Sequence, residues 1–172
     1  CARRFPSSAT FPVIEPRTEL GHGIAFSAAH PAHRLNAPDA VHVVDPANVD
    51  DFPDWLDETG TLTHDPEAMQ ADGTNHIRRG TFGEYVRDRF ERARDGNRSR
   101  SDIRHFGSAA VQIEETEDGL AVTVGTGGRL DADVVVVATG NEPPARIPHF
   151  DGKVRSHPAY LADPWKEEVL AS

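Results

Sequence analysis

Residues 134–144 read VVVVATGNEPP. Four valines stop abruptly at Ala138-Thr139-Gly140, and a polar turn and two prolines follow. A continuous β-branched run suits a strand buried on both faces of a parallel sheet. In open parallel sheets, ligands sit beyond the carboxyl ends of the strands. Ala138, Thr139 and Gly140 would stand at such an end. Missing side-chain bulk would let another group approach the backbone there, Thr139 adds a hydroxyl, and Gly140 permits a tight exit. The same residues also suit a plain small-residue turn, and the strand alone does not choose between the two.

Upstream of the valines the apolar period is two. IRHFGSAAVQIEETEDG, LAVTVGTGG and RLDADVVVVATG are three strand candidates, with EDG and TGG as hairpin signals. The chain is therefore expected to leave a half-exposed β-meander and enter a buried parallel sheet at Val134. Before the meander, Thr81 and Glu84 have capping-box spacing, and Phe82, Val86, Phe90 and Ala93 recur at helical intervals up to Asp95-Gly96-Asn97. A shorter helix is expected in NVDDFPDWLDETG, with Phe52, Trp55 and Leu56 on one side. TLTHDPEAMQADGTNHI between them reads as a polar, mobile insertion. GHGIAFSAAHPAHRLNAPDAVHVVDP, from Gly21, is punctuated by Gly and Pro without a sustained period, so it reads as an ordered, functional loop. FPVI, residues 11–14, looks like the end of a strand.

Composition narrows the function classes. The 172 residues are 37% apolar and 27% charged, as in a soluble globular protein. Acidic residues outnumber basic ones by 28 to 18, a net charge of −10, which argues against a nucleic-acid partner. No apolar run approaches the roughly 20 residues of a membrane span, so no membrane partner is expected. The single cysteine, Cys1, forms no internal disulfide, and a cytoplasmic location is the default expectation. The chain starts with Cys and ends in EEVLAS, and is expected to be a fragment of a longer protein.

Several side chains could carry chemistry. Glu15 follows a strand, where a carboxylate can accept hydrogen bonds from a dinucleotide ribose; a solvated loop carboxylate is the plainer reading. His22, His30 and His33 cluster in sequence, but Gly21, Gly23 and Pro31 prevent helical presentation and no HExxH occurs, so no metal site is expected. Ser27 and Ser108 lack a GxSxG context. No residue stands out as a catalytic acid or base.

The order of these segments is more specific than any one of them. VIEPRTELGHGIAFSAAHPAHRLNAPD, FPDWL, RRGTFGEYVRDRF, AAVQIEETEDGLAVTVGTGGRLDADVVVVATGNEPP and DPW together resemble the FAD/NAD(P)-binding flavoproteins of the two-dinucleotide-domain type, related in layout to the N-hydroxylating monooxygenases. The resemblance runs over about residues 11–165. It implies an α/β fold: the FAD-binding, doubly wound (Rossmann-like) parallel sheet with a β-meander crossover, truncated at both ends. Residues 1–150 would be a partial FAD-binding domain, and 151–172 a linker toward an NAD(P)-binding domain.

The implied function is part of an FAD-dependent oxidoreductase that uses NAD(P)H to reduce FAD and passes electrons to oxygen or another acceptor. FAD and a small-molecule substrate would be the partners. Glu15 would hold the adenosine ribose, with Arg17 near the same nucleotide. Gly21–Ser27, including Gly23, and His33–Pro38 would run beside the flavin, with Asn36 the polar contact. The Val111 backbone would bracket the adenine, and Ala138, Thr139 and Gly140 would form the turn at the pyrophosphate.

Two departures qualify this. The sequence contains no GxGxxG, the turn that sets a pyrophosphate against a helix N-terminus. Where the family places a methionine-serine pair, this chain reads Val41-His42-Val43. The alternative is a non-enzymatic nucleotide-binding or degenerate module.

Overall fold

The computed structural model describes residues 9–27, 30–96, 101–140 and 144–163. Part of the NRSRSD connector (97–100), the turn at 141–143 and Pro164-Trp165 lie outside them. The chain divides into two compact units, Cys1–Leu20 with Arg87–Ala138, and Gly21–Val86 with Thr139–Ser172.

The first unit holds two small sheets. Strand β1 (Thr10–Ile14) pairs in parallel with β2 (Asp102–Phe106), residue for residue from Thr10↔Asp102 to Ile14↔Phe106. Strands β3 (Ala110–Thr116), β4 (Gly119–Val124) and β5 (Arg129–Ala132) form an antiparallel meander. Its two turns fall on the expected signals, because Gly119 (φ 145°) and Gly127 (φ 83°) adopt backbone that other residues resist. The central strand β4 is buried at Ala121, Val122 and Val124, whereas β3 is exposed along its length.

Two strand readings need correction. IRHFGSAAVQIEET is two strands, broken at Gly107–Ala109, where the Ser108 N–H turns back to the Phe106 carbonyl at 2.7 Å. The first piece joins β1 and the second joins the meander. More importantly, Val134–Val137 is not a strand. β5 ends at Ala132, and Val134, Val136 and Val137 are 76%, 83% and 67% exposed. A β-branched run becomes a strand only when neighbours pair its backbone and cover its faces. Among the described residues no strand lies against it, so the fold is mixed α/β with one small parallel and one antiparallel sheet.

The second unit is built around aromatic packing. Helix α2 (Asp51–Thr59) opens with Asp51 and Asp54, which suit the positive end of the helix, and tolerates Pro53 in its first turn. Gly60, at φ 66°, closes it with N–H bonds to the Leu56 and Asp57 carbonyls. Phe52, Trp55 and Leu56 are buried on one side, as their spacing predicts. They meet helix α3 (Arg79–Asp95), where Phe52 packs edge-on to Phe82 at 5.0 Å and tilts on Tyr85 at 4.7 Å. The buried Tyr85 hydroxyl donates to Asp51 Oδ2 at 2.6 Å, so the aromatic core strands no polar atom there. Leu35, Ala68 and Ile77 complete this core.

Helix α3 starts at Arg79, two residues before the expected cap, so Thr81 lies inside the helix. The segment read as a mobile insertion is ordered. Thr61–His64 and Pro66–Ala68 are 3-10 turns, and Ala68 and Ile77 are 0% and 1% exposed. Its polar sequence hides two core contacts inside turns whose period matches neither helix nor strand. Short helices α1 (Gly23–Phe26) and α4 (Gly152–Arg155) complete the description. Among the described residues no helix is long and apolar enough to cross a membrane.

Candidate functional site

Glu15 is the residue after the last β1–β2 pair, at the carboxyl end of a parallel strand. Its N–H donates to the Phe106 carbonyl at 3.1 Å, and His105 Nε2 lies 2.8 Å from its carbonyl oxygen, so the backbone is pinned on both sides. Among the described residues the carboxylate is engaged by Arg17 alone: Oε1 accepts from the Arg17 N–H and Nε–H, and Oε2 from Nη2–H, each at 3.0 Å. The Arg17 hydrogen bonds hold the Glu15 carboxyl below its ordinary range and raise the guanidinium in turn. A carboxylate offers about four acceptor sites, so a diol needing two would displace part of the Arg17 fork. Arg17 is 45% exposed, and a pair this wet contributes little to stability. A cavity of ≈ 260 Å³ in the same unit begins three residues on, with Thr18, Arg87, Phe90, Arg94 and His105 in its wall.

In the second unit, Gly21 (φ 102°) and Gly23 (φ 58°) take left-handed backbone that folds the GHGIAFS segment into α1. Phe26 lies edge-on to Phe82 at 4.8 Å. Gly83 makes this approach possible, because a Cβ there would meet the Phe26 carbonyl oxygen at 2.5 Å and collide with the His22 ring. No atom lies within 4 Å of a Cβ placed on Gly23, so that backbone stands open.

Asn36 is exposed, and its amide makes no hydrogen bond among the described residues. The residues flanking it are held firmly. The Leu35 N–H donates to the Ile77 carbonyl at 2.8 Å and the Asp39 N–H to the Asn75 carbonyl at 3.0 Å. Arg79 Nε donates to the Arg34 carbonyl and Asn75 Nδ2 to Asp39 Oδ2, both at 3.0 Å. His42, at the family's methionine-serine position, rests on Phe82 at 5.2 Å with Nε2 3.3 Å from the Ala37 carbonyl.

Asp65, which sequence reasoning passed over, is the buried charge among the described residues at 5% exposure. Arg34 grips it with both ends of its fork, Nη1 to Oδ2 at 3.0 Å and Nη2 to Oδ1 at 2.8 Å, and Arg78 Nη2 lies 3.2 Å from Oδ1. Arg34 Nη1 also donates to the His76 carbonyl at 2.9 Å. The partners lie 31 residues apart, so no spacing rule could have found them.

The Arg34 hydrogen bonds hold the Asp65 carboxyl below its ordinary value of 3.8. A carboxyl lowered in the folded state contributes stability above its unfolded pKa and loses it as pH falls through the lowered folded value. The melting temperature should therefore fall as pH drops below about 3.8, and Asp65→Asn should flatten that limb. An equally steep limb in the variant would reject the assignment.

Val111 is the extra residue of a β-bulge: the register passes from Ala110↔Val124 to Gln112↔Thr123 and leaves it without an opposite number. Bulges re-aim side chains and end pairing beside functional sites. Ala138, Thr139 and Gly140 are exposed and irregular, with Gly140 at φ 73°. The candidates divide between the units, with Glu15, Arg17, Val111 and Ala138 in the first and Gly23, Asn36, Thr139 and Gly140 in the second. Of these, Glu15 and Arg17 are directly bonded. His30 and His33 rings sit 6.2 Å apart, and no group of three or more His, Cys, Asp or Glu among the described residues is placed to hold a metal ion.

In the first unit the strand-end Glu15 carboxylate can accept from a diol and Val111 lacks an opposite strand partner; in the second, Gly23 leaves open backbone and Asn36 carries an amide unbonded among the described residues. No curated protein matches the chain. A model of the family described as FAD-NAD(P)-binding matches residues 1–142, and a match over that much of the 172 residues makes the chain a member of that family, with FAD and NAD(P) as its cofactors.

Proposed function

We propose that the chain is the FAD-holding part of a flavoprotein oxidoreductase that draws electrons from NAD(P)H and passes them to oxygen or another acceptor. The observation that carries this reading is Glu15, a carboxylate fixed at the end of a parallel strand and paired with one displaceable, half-exposed arginine. FAD, when bound, supplies the redox chemistry, and the protein supplies position and electrostatics.

In this reading Glu15 accepts the ribose hydroxyls, and Arg17, released from it, stays beside the nucleotide. The Val111 backbone borders the adenine, and Ala138, Thr139 and Gly140 leave room for the pyrophosphate. Gly23 opens the loop along the flavin and Asn36 offers it an amide. The exposed Val134, Val136 and Val137 support a larger, doubly wound parallel sheet in which that run is covered.

The test is the visible spectrum of the full chain after incubation with FAD and removal of free cofactor. Bound flavin bands that bleach with NADH or NADPH are expected. Retained bands that neither nucleotide bleaches would leave a nucleotide-holding module, and no bands at all would refute the reading. Glu15→Ala should weaken FAD retention roughly tenfold or more, since a hydrogen bond to a charged group contributes about 1.5–3 kcal/mol. Unchanged retention would remove Glu15 from the site.

A further inference from the structure

The Arg34–Asp65 pair joins segments 31 residues apart and is largely buried, with side chains 20% and 6% exposed. A buried ion pair is a poor source of stability, because desolvation offsets most of its attraction; its attested use is to fix one arrangement among several. The arrangement fixed here is the seat of residues 34–39. Arg34 reaches Asp65 and the His76 carbonyl, while its own carbonyl is held by Arg79. Next to it the Leu35 N–H bonds Ile77, and His76 Nδ1 lies 3.0 Å from the Leu35 carbonyl. The other shoulder is Asp39, bonded through backbone and side chain to Asn75. Between the shoulders stands Asn36, exposed, with its amide unbonded among the described residues. Asn75 Oδ1 is buried without a partner among the described residues, so Asn75 serves the Asp39 contact at some expense.

We propose that Arg34 and Asp65, with Asn75 on the far shoulder, are positioning residues for the cofactor: they hold residues 34–39 so that Asn36 meets the flavin without rearrangement. This rests on the assignment of the Asn36 loop to FAD above. None of the three touches the cofactor; they act by removing the ordering that binding would otherwise require.

The test separates positioning from stability. Arg34→Met with Asp65→Leu replaces the ion pair by an apolar one, an exchange that is often neutral or stabilising, and the Arg78 side chain, 37% exposed, keeps access to water when it loses Asp65. In the full chain this double variant should keep its melting temperature, while the Leu35 and Asp39 amides exchange hydrogen faster and FAD binds roughly tenfold more weakly. Asn75→Ala, which removes one hydrogen bond together with an unsatisfied acceptor, should move exchange at Asp39 and FAD affinity in the same direction; it also stands in should the double variant fail to fold. Unchanged exchange would overturn the proposal. So would faster exchange with unchanged FAD affinity, because the loop's position would then not serve the cofactor. Absence of FAD binding in the unaltered protein would overturn the cofactor assignment itself and this role with it.

Discussion

Asp65→Ala is expected to lower the stability of the second unit by about 3–5 kcal/mol, a large part of the roughly 5–15 kcal/mol that holds a typical domain folded. Removing the carboxylate leaves the largely buried Arg34 guanidinium with Arg78 beside it and, among the described residues, only the exposed Glu67, at 3.3 Å, to answer the charge. Denaturant unfolding followed by tryptophan fluorescence reads the loss, since Trp55 lies in the core of the same unit. A change below about 1 kcal/mol would place the pair with ordinary surface ion pairs. The contrast with the apolar double replacement is informative. One half of a buried pair costs far more to lose than both halves together.

Gly83→Ala is the second large effect. Alanine favours a helix over glycine by roughly 1 kcal/mol, so a helix-propensity argument predicts stabilisation. Tertiary packing reverses the sign. The new Cβ would stand 2.5 Å from the Phe26 carbonyl oxygen and 3.3 Å from its carbon, and it would overlap the His22 ring. The histidine can swing aside, but the backbone oxygen moves only if the 21–27 loop lifts from α3. Overpacking of this kind costs about 1–3 kcal/mol, and here it also pulls Phe26 from Phe82. Unfolding should show net destabilisation, and FAD retention should fall with it because Gly23 belongs to the displaced loop. A more stable Gly83→Ala protein would show that the loop does not sit on the helix.

The expected acid limb and the Glu15→Ala result test different parts of the molecule. The acid limb reads Asp65, in the second unit, and the Glu15→Ala result reads Glu15, in the first.

Local pattern was enough for α2, whose three apolar residues, opening acids and closing Gly60 are a self-consistent set within ten residues. It was enough for the meander turns, where glycine alone meets the backbone demand at 119 and 127. The order of the segments was enough to identify the family later matched over residues 1–142. What local pattern could not supply is everything that depends on a distant neighbour. The four valines carry the signature of a buried strand, yet burial is a property of what lies against them, and here Val134, Val136 and Val137 are exposed. The polar 61–77 segment carries no period, yet it seats two core residues and the buried Asp65, because turns bury side chains at irregular intervals. By itself the sequence determined which residues could form helices, turns and a cofactor-binding family pattern; those preferences are set within a few residues of each position. Only the tertiary structure decided that Arg34 meets Asp65, that Val111 bulges out of register and that Gly83 must lack a side chain, because each is a contact between segments that no spacing rule connects.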